Sequence, residues 1–267
     1  MSWLDGKRVL ITGAASGIGL CTAEEFARAG CELIITDLNE GALKKAARQL
    51  RKLGAKVQTE CYDVSKPKQV QEVAGRVGEI DILINNAGIG YTNELADTSL
   101  ATWKKLVDVN LWGPLYHVYA YLPQMRARHT GHIVNVSSGQ AFFKLPTWGA
   151  YACIKAALGT FSEILHYEVK RDGVTVTTVY PFMVNTGFYN DVQGESWGTR
   201  LSMKLLPYYS MSPERVGRIL FKAVKRRQKV EKVSLLNELG YYANFVPLAP
   251  EVIARASYLF LGKRAQA

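Results

Sequence analysis

Cysteine is scarce in this chain of 267 residues: there are four, Cys21, Cys31, Cys61 and Cys153, with no CxxC or Cys/His pattern at metal-ligand spacing. A disulfide scaffold is therefore not expected, and free thiols in a reducing, cytoplasmic setting fit better. Long apolar runs are missing as well. The nearest approach, residues 239–262, contains Pro247, Pro250, Glu251 and Arg255, so no membrane-spanning helix is predicted. The opening MSWLDGKRVLITG lacks a basic region followed by an apolar stretch and a small-residue cleavage site, so its apolar run reads as a strand and not as a leader. His117, His129, His132 and His166 have no acidic or histidine partner at ligand spacing; they read as structural, and no metal is expected.

Acidic residues are few. The formal net charge is +10, and Leu201 to Ala267 holds twelve Lys and Arg against four Glu, a net +8. Such an excess marks either a solvated helix face or an anionic partner. The basic stretch KAVKRRQKVEK at 222–232, followed by amphipathic EVIARASYLFLGK, leaves a peripheral membrane foot open as the second reading. No nucleic-acid recognition motif accompanies the charge, so no nucleic-acid partner is expected.

What is present is alternation. KRVLIT (7–12), ELIIT (32–36), KVQTE (56–60), DILI (81–84), HIVNVS (132–137) and VTVTTVY (174–180) read as strands. Between them, IGLCTAEEFARAG, NEGALKKAARQLRKLG, 68–77, the long segment 100–128 and 151–171 carry apolar residues at helical spacing. This pattern predicts βαβ units. Gly30 and Gly54 stand where helices should end, and Ser212-Pro213-Glu214 reads as a helix start. With no repeat or linker, one domain spans 1–267: a core over 6–180, a substrate lid over 181–210 and a basic and apolar extension over 211–267.

After the first strand comes TGAASGIG, Thr12 to Gly19. Gly13, Gly17 and Gly19 allow a tight turn and close approach of backbone to a pyrophosphate, while the next helix offers its unpaired amides to the anion. Asp37 ends the next strand, where a carboxylate accepts hydrogen bonds from both adenosine ribose hydroxyls and repels a 2′-phosphate. No base stands at Ala15 or Leu38, and Lys44 and Lys45 should face solvent, so NAD(H) is expected over NADP(H).

Tyr151 and Lys155 stand four apart in YACIK, on one helix face. A phenol of ordinary pKa is only about 0.1% ionised at neutral pH, and a useful base needs a shift costing about 4 kcal/mol. One ammonium at about 4 Å in a medium of effective dielectric near 20 supplies roughly that much. A lysine one turn away is thus what acid/base chemistry at a tyrosine requires. Helical geometry turns Cys153 away from that face, and it is expected to be a buried, inert thiol.

Together with the TGxxxGxG spacing, Asn85-Asn86-Ala87-Gly88 after the fourth strand, Asn110 in DVNLWG and Ser138 after the fifth, this pair resembles the short-chain dehydrogenase/reductase family over residues 7–230. The resemblance implies a single-domain α/β Rossmann fold, a doubly wound parallel sheet of about seven strands with helices on both faces. It makes Tyr151 the acid/base, Lys155 its electrostatic partner and a ribose ligand, Ser138 the stabiliser of the substrate oxygen and Asn110 the holder of a water in the proton path. Ser138 is favoured over Ser137 by the family's separation from the tyrosine. Gly13, Ser16, Ile18, Asp37, Asp63, Val64, Asn86 and Thr186 match cofactor-contacting positions. Gly17, Gly19, Ala87, Gly88, Pro181 and Val184 join them. Two departures are Pro181-Phe182 where relatives commonly read Pro-Gly, and Cys153-Ile154 inside the YxxxK motif.

Aromatics gather where the family places substrate: Phe142, Phe143 and Trp148, then Phe182, Phe188 and Tyr189. With Ser138, Gln140 and Tyr151, the candidates Phe143, Trp148, Phe182 and Phe188 predict a wide apolar pocket for a steroid, retinoid or long-chain alcohol or ketone. The resemblance also implies a homodimer or homotetramer paired through 102–128 and 151–171. The rival readings are a nucleotide-sensing scaffold without turnover and a membrane-associated interaction module.

Overall fold

The computed structural model describes residues 3–143, 145–189, 201, 204, 210–246 and 248–261. Seven parallel strands form one sheet: β1 (Arg8–Thr12), β2 (Glu32–Asp37), β3 (Val57–Cys61), β4 (Ile82–Asn85), β5 (Gly131–Val136), β6 (Val174–Tyr180) and β7 (Val230–Lys232). Their order is β3-β2-β1-β4-β5-β6-β7. The chain builds outward from β1 on one side, then returns to lay β4 on the other. That reversal opens a crevice at the carboxyl ends of β1 and β4, the place where open α/β sheets bind ligands.

The sheet is buried on both faces because alternate residues of each strand point to opposite sides. Leu10, Leu83, Ile133 and Val176 pack on one face against Val70, Val118, Tyr121 and Leu165. Val9, Ile11, Ile82, Ile84 and Val134 face the other way, onto Phe26, Leu43, Leu50, Val216 and Leu220. Each such side chain contributes roughly 1.5–3 kcal/mol by leaving water.

The helices start and stop where local chemistry dictates. In α1 (Gly17–Arg28) and α2 (Glu40–Lys52), the chain leaves the helix through Gly30 at φ +80° and Gly54 at φ +87°. The Asn39 side chain accepts the Ala42 amide at 3.0 Å, capping α2. Helix α3 (Pro67–Val77) begins with proline in its first turn. The predicted stretch 100–128 is two helices, α4 (Leu100–Val107) and α5 (Gly113–Ala127), joined by a π-turn at Asp108–Trp112. Apolar periodicity alone does not register one extra residue in a turn, and this one carries Asn110. Helix α6 (Gly149–Val169) follows β5. Ser212 caps α7 (Pro213–Lys225) by accepting the Arg215 amide at 3.3 Å.

Strand β7 has no counterpart in the sequence reading, since Val-Glu-Lys is too short and too charged to read as a strand. Helices α8 (Leu235–Ala243) and α9 (Ala249–Leu261) complete the extension. Among the described residues no helix is long and apolar enough to cross a membrane. Cys153 is exposed and not buried as expected: α6 turns it away from Tyr151, and that direction faces solvent.

Candidate active site

The glycine loop joins β1 to α1 at the mouth of the crevice. Gly13 at φ +65° and Gly17 at φ +54° adopt the left-handed backbone that favours glycine. A Cβ on Gly13 would come within 2.8 Å of the Ala87 Cα, and one on Gly19 would meet the Asn86 side chain at 2.6 Å. The loop thus packs directly on the segment after β4. Thr12 Oγ1 accepts the amides of Asn86 and Ala87, each at 3.0 Å. Asn86 Nδ2 donates to the carbonyls of Thr12 and Gly13, each at 3.0 Å. Ser16 makes no side-chain cap on α1, so the first amides of that helix open onto the crevice. Asp37 stands beside them, accepting the Ala15 amide on Oδ2 at 3.1 Å and the Asn39 amide on Oδ1 at 3.0 Å.

One cleft runs from this loop to α6. Gly13, Ser16, Gly17, Ile18, Asp37, Asn86, Ala87 and Gly88 line one end. Ser138, Gln140, Trp148, Tyr151, Lys155, Phe182 and Phe188 line the other, with Pro181, Val184 and Thr186 between. Three residues expected at the cofactor are not in the lining: Gly19 lies inside α1, and Asp63 and Val64 form a turn after β3. There Asp63 Oδ1 accepts the Ser65 amide at 2.9 Å, and Val64 packs where α5 begins at Gly113. Phe143 is likewise outside the cleft lining, its ring tilted against that of Phe182 at 4.8 Å and covered by Gly240 of α8. Phe142 lies on Tyr180 at 4.5 Å and Tyr241 at 5.1 Å. Most of the expected lid, residues 190–200, 202–203 and 205–209, falls outside the described residues.

Helix α6 projects Tyr151 and Lys155 onto the cleft floor, with the Lys155 Nζ 5.7 Å from the centre of the tyrosine ring. Lys155 is only 4% exposed and donates to the Val136 carbonyl at 3.0 Å. Burial pushes its pKa down to about 8. Trp148 and Phe188 meet the Tyr151 ring edge-on at 5.9 and 5.7 Å and shield that wall. Behind it, Asn110 is fully buried. Its Oδ1 accepts the Ile89 amide at 3.1 Å and its Nδ2 donates to the Ile89 carbonyl at 3.0 Å.

The two serines differ in where their protons go. Ser137 donates to the Lys155 carbonyl at 2.7 Å, which commits its proton to α6. Ser138 accepts the Gln140 amide at 3.2 Å, which leaves its own proton for another partner.

Sequence reasoning missed several contributors. Val136, Ser137, Met183 and Gly187 line the cleft. Met183 takes φ +48° just after the Pro181-Phe182 departure, so the turn there is made without glycine. Beneath the floor, Asn85 Nδ2 donates to Asn135 Oδ1 and Asn135 Nδ2 to Ser162 Oγ, both at 2.8 Å, tying β4, β5 and α6 together. Two asparagines inside buried strands were the available signal.

Comparison with known proteins gives one direction. The pattern of the short chain dehydrogenase family matches residues 7–196. An uncharacterized oxidoreductase of Staphylococcus saprophyticus is 33% identical over 202 residues, 74% of this chain and 85% of that protein. The human estradiol 17-beta-dehydrogenase 11 is 32% identical over 253 residues, 92% of this chain and 80% of that one. The probable oxidoreductase EphD of Mycobacterium tuberculosis is 35% identical over 240 residues, 85% of this chain but 40% of that longer protein. Among solved structures, a short chain dehydrogenase/reductase of Burkholderia phymatum in complex with NAD superposes with TM-score 0.85 at 27% identity, over 92% of this chain and 95% of that one. One from Sphingobium yanoikuyae in complex with NADPH superposes with TM-score 0.77 at 26% identity, over 98% and 97%. The shared pattern over most of the length and the common architecture place this chain in the short-chain dehydrogenase family of oxidoreductases.

Proposed function

We propose that this oxidoreductase interconverts an alcohol and its ketone or aldehyde with NAD(H), on a bulky lipophilic substrate. The observation that carries this reading is the Tyr151–Lys155 pair, buried in the same cleft as the glycine loop. The cleft suits a dinucleotide on its own chemistry: open α1 amides for the pyrophosphate, glycines where a Cβ would clash, and a carboxylate at the end of β2 for ribose hydroxyls. Asp37 carries no partner of opposite charge in its hydrogen bonds to Ala15 and Asn39, which supports NAD(H) over NADP(H).

When bound, the nicotinamide accepts or returns the hydride. The chain handles the proton. Tyr151 takes the hydroxyl proton of an alcohol, or gives one to a carbonyl oxygen. Lys155 stays about nine-tenths charged at neutral pH with a pKa near 8, and holds that charge beside the phenol. Ser138 donates a hydrogen bond to the same substrate oxygen, keeping its own proton, and holds that oxygen aligned. Asn110 holds the Ile89 backbone and abuts Gly88, which fixes the cleft wall opposite Lys155.

Trp148, Phe182, Met183 and Phe188 make the substrate end apolar, which supports a large hydrocarbon frame over a sugar. The name of the human relative, estradiol 17-beta-dehydrogenase, agrees with a steroid-type alcohol. The test is a panel of alcohols and ketones of graded size, followed by reduced-nicotinamide absorbance with both cofactors. Turnover rising with apolar size is expected; turnover of polyols alone would overturn the substrate class.

A second feature supports lipid contact. Helix α8 exposes Leu235, Leu239 and Tyr242 on one outward stripe, and the turn after it exposes Phe245 and Leu248. Lys232 lies over the Tyr242 ring at 4.7 Å, giving this face a cation as well. Exposed Tyr119 and Ile164 on α5 and α6 support pairing of chains there, as the family resemblance implies.

A further inference from the structure

We propose that Asn237, in the first turn of α8, is a positioning residue for the serine loop, so that the C-terminal extension completes the active site. Asn237 is fully buried. Its Nδ2 donates to the carbonyl of Tyr180. Its Oδ1 has no hydrogen-bond partner among the described residues and lies on Gly139, where a Cβ would run into it.

The reason lies in the edge of the sheet. Strand β7 is three residues long, and its register ends at Tyr180↔Lys232. Beyond that, the Val233 amide reaches the Tyr180 carbonyl at a long 3.4 Å. The Asn237 amide therefore adds a rung where the strand has run out. On the other side of β6, the Ser137 amide donates to Val179 at 2.8 Å and the Gly139 amide to Pro181 at 2.7 Å. Asn237 thus bonds one half of this junction, Tyr180, which leads into Pro181, and packs on the other, Gly139, which joins Ser138 to Gln140. Leaving one amide oxygen unpaired in a dry site is costly, and it persists here because the group is wedged against Gly139. Asn237 touches no reacting group; it acts by holding Ser138 and Pro181 in place, and small displacements of such groups cost rate steeply.

This inference rests on the reaction proposed above for one of its readouts only. Asn237→Ala and the near-isosteric Asn237→Leu are compared with wild type, well below their melting temperatures. Turnover, NADH affinity and hydrogen exchange of the Gly139 and Gln140 amides are measured. The expected result is kcat lower by roughly tenfold to a hundredfold in both variants, NADH affinity within about twofold of wild type, and faster exchange at Gly139. In a Gly139→Ala background, adding Asn237→Ala should restore part of the lost rate, since it removes one of the two obstacles to the new methyl. Unchanged kcat per folded molecule with unchanged Gly139 exchange, whatever the loss in melting temperature, would overturn the proposal and leave Asn237 a packing residue. Should wild type turn over no alcohol or ketone, the reaction itself fails and the exchange measurement alone decides this inference.

Discussion

Lys155 Nζ stands 5.7 Å from the centre of the Tyr151 ring, and both side chains are buried on the floor of one cleft. A charge so placed, largely withdrawn from water, acts on the phenol more strongly than it would in bulk solvent. The proposed proton transfer depends on this relationship.

Replacing Tyr151 by Phe removes the group that moves the proton and little of the packing, since the ring contacts to Trp148 and Phe188 survive. Turnover should fall by on the order of 10²–10⁴-fold. NADH binding, read by fluorescence titration, should remain. Full activity in this variant would end the acid/base assignment.

Burying the Lys155 ammonium costs stability. Its pKa falls from 10.5 to about 8 on folding, so between those values the unfolded chain binds more protons and wild-type stability should rise with pH. Below pH 8 the full cost stands, on the order of 3 kcal/mol at 1.36 kcal/mol per unit. Lys155→Met should therefore be inactive yet more stable than wild type at pH 7, with the gap narrowing between pH 8 and 10.5. Denaturant midpoints at pH 7 and above pH 9 check both the sign and the window.

At the other end of the cleft, Asp37→Ser removes the charge that opposes a 2′-phosphate. The ratio of kcat/KM for NAD over NADP should fall by roughly tenfold or more. An unchanged ratio would show that another group selects the dinucleotide.

Gly88→Ala tests the wall. The added methyl would come within 2.7 Å of Asn110 Oδ1 and 3.5 Å of Lys155 Nζ. Displacing the buried asparagine breaks its two bonds to Ile89, each worth about 1 kcal/mol, and should lower both melting temperature and kcat. Wild-type kinetics in this variant would mean the wall yields without consequence.

The outward stripe of α8 predicts lipid binding. Wild type should co-sediment with vesicles of phosphatidylcholine and phosphatidylserine, more weakly as salt rises. Leu239→Glu should abolish this and leave the melting temperature unaltered, because Leu239 is exposed. If instead wild type stays in solution and its Leu239→Glu variant changes oligomeric size, the stripe is a contact between chains.

Much of this molecule was determined by sequence alone. Six strands, the helix ends at Gly30, Gly54 and Ser212, the glycine loop and the Tyr151–Lys155 pair all follow from rules that act within a few residues: alternation, helical spacing, backbone conformation and capping. What only the tertiary structure decided depends on partners far along the chain. Ser137 differs from Ser138 because its hydroxyl donates its hydrogen bond to a carbonyl eighteen residues away. Phe143 is out of the cleft because α8, about a hundred residues later, covers it. The three-residue β7 exists because β6 offers an open edge, and Asn237 is buried because that edge ends one carbonyl too soon. Periodicity reports which face of an element is buried, but not what lies against it; packing between distant segments settles that.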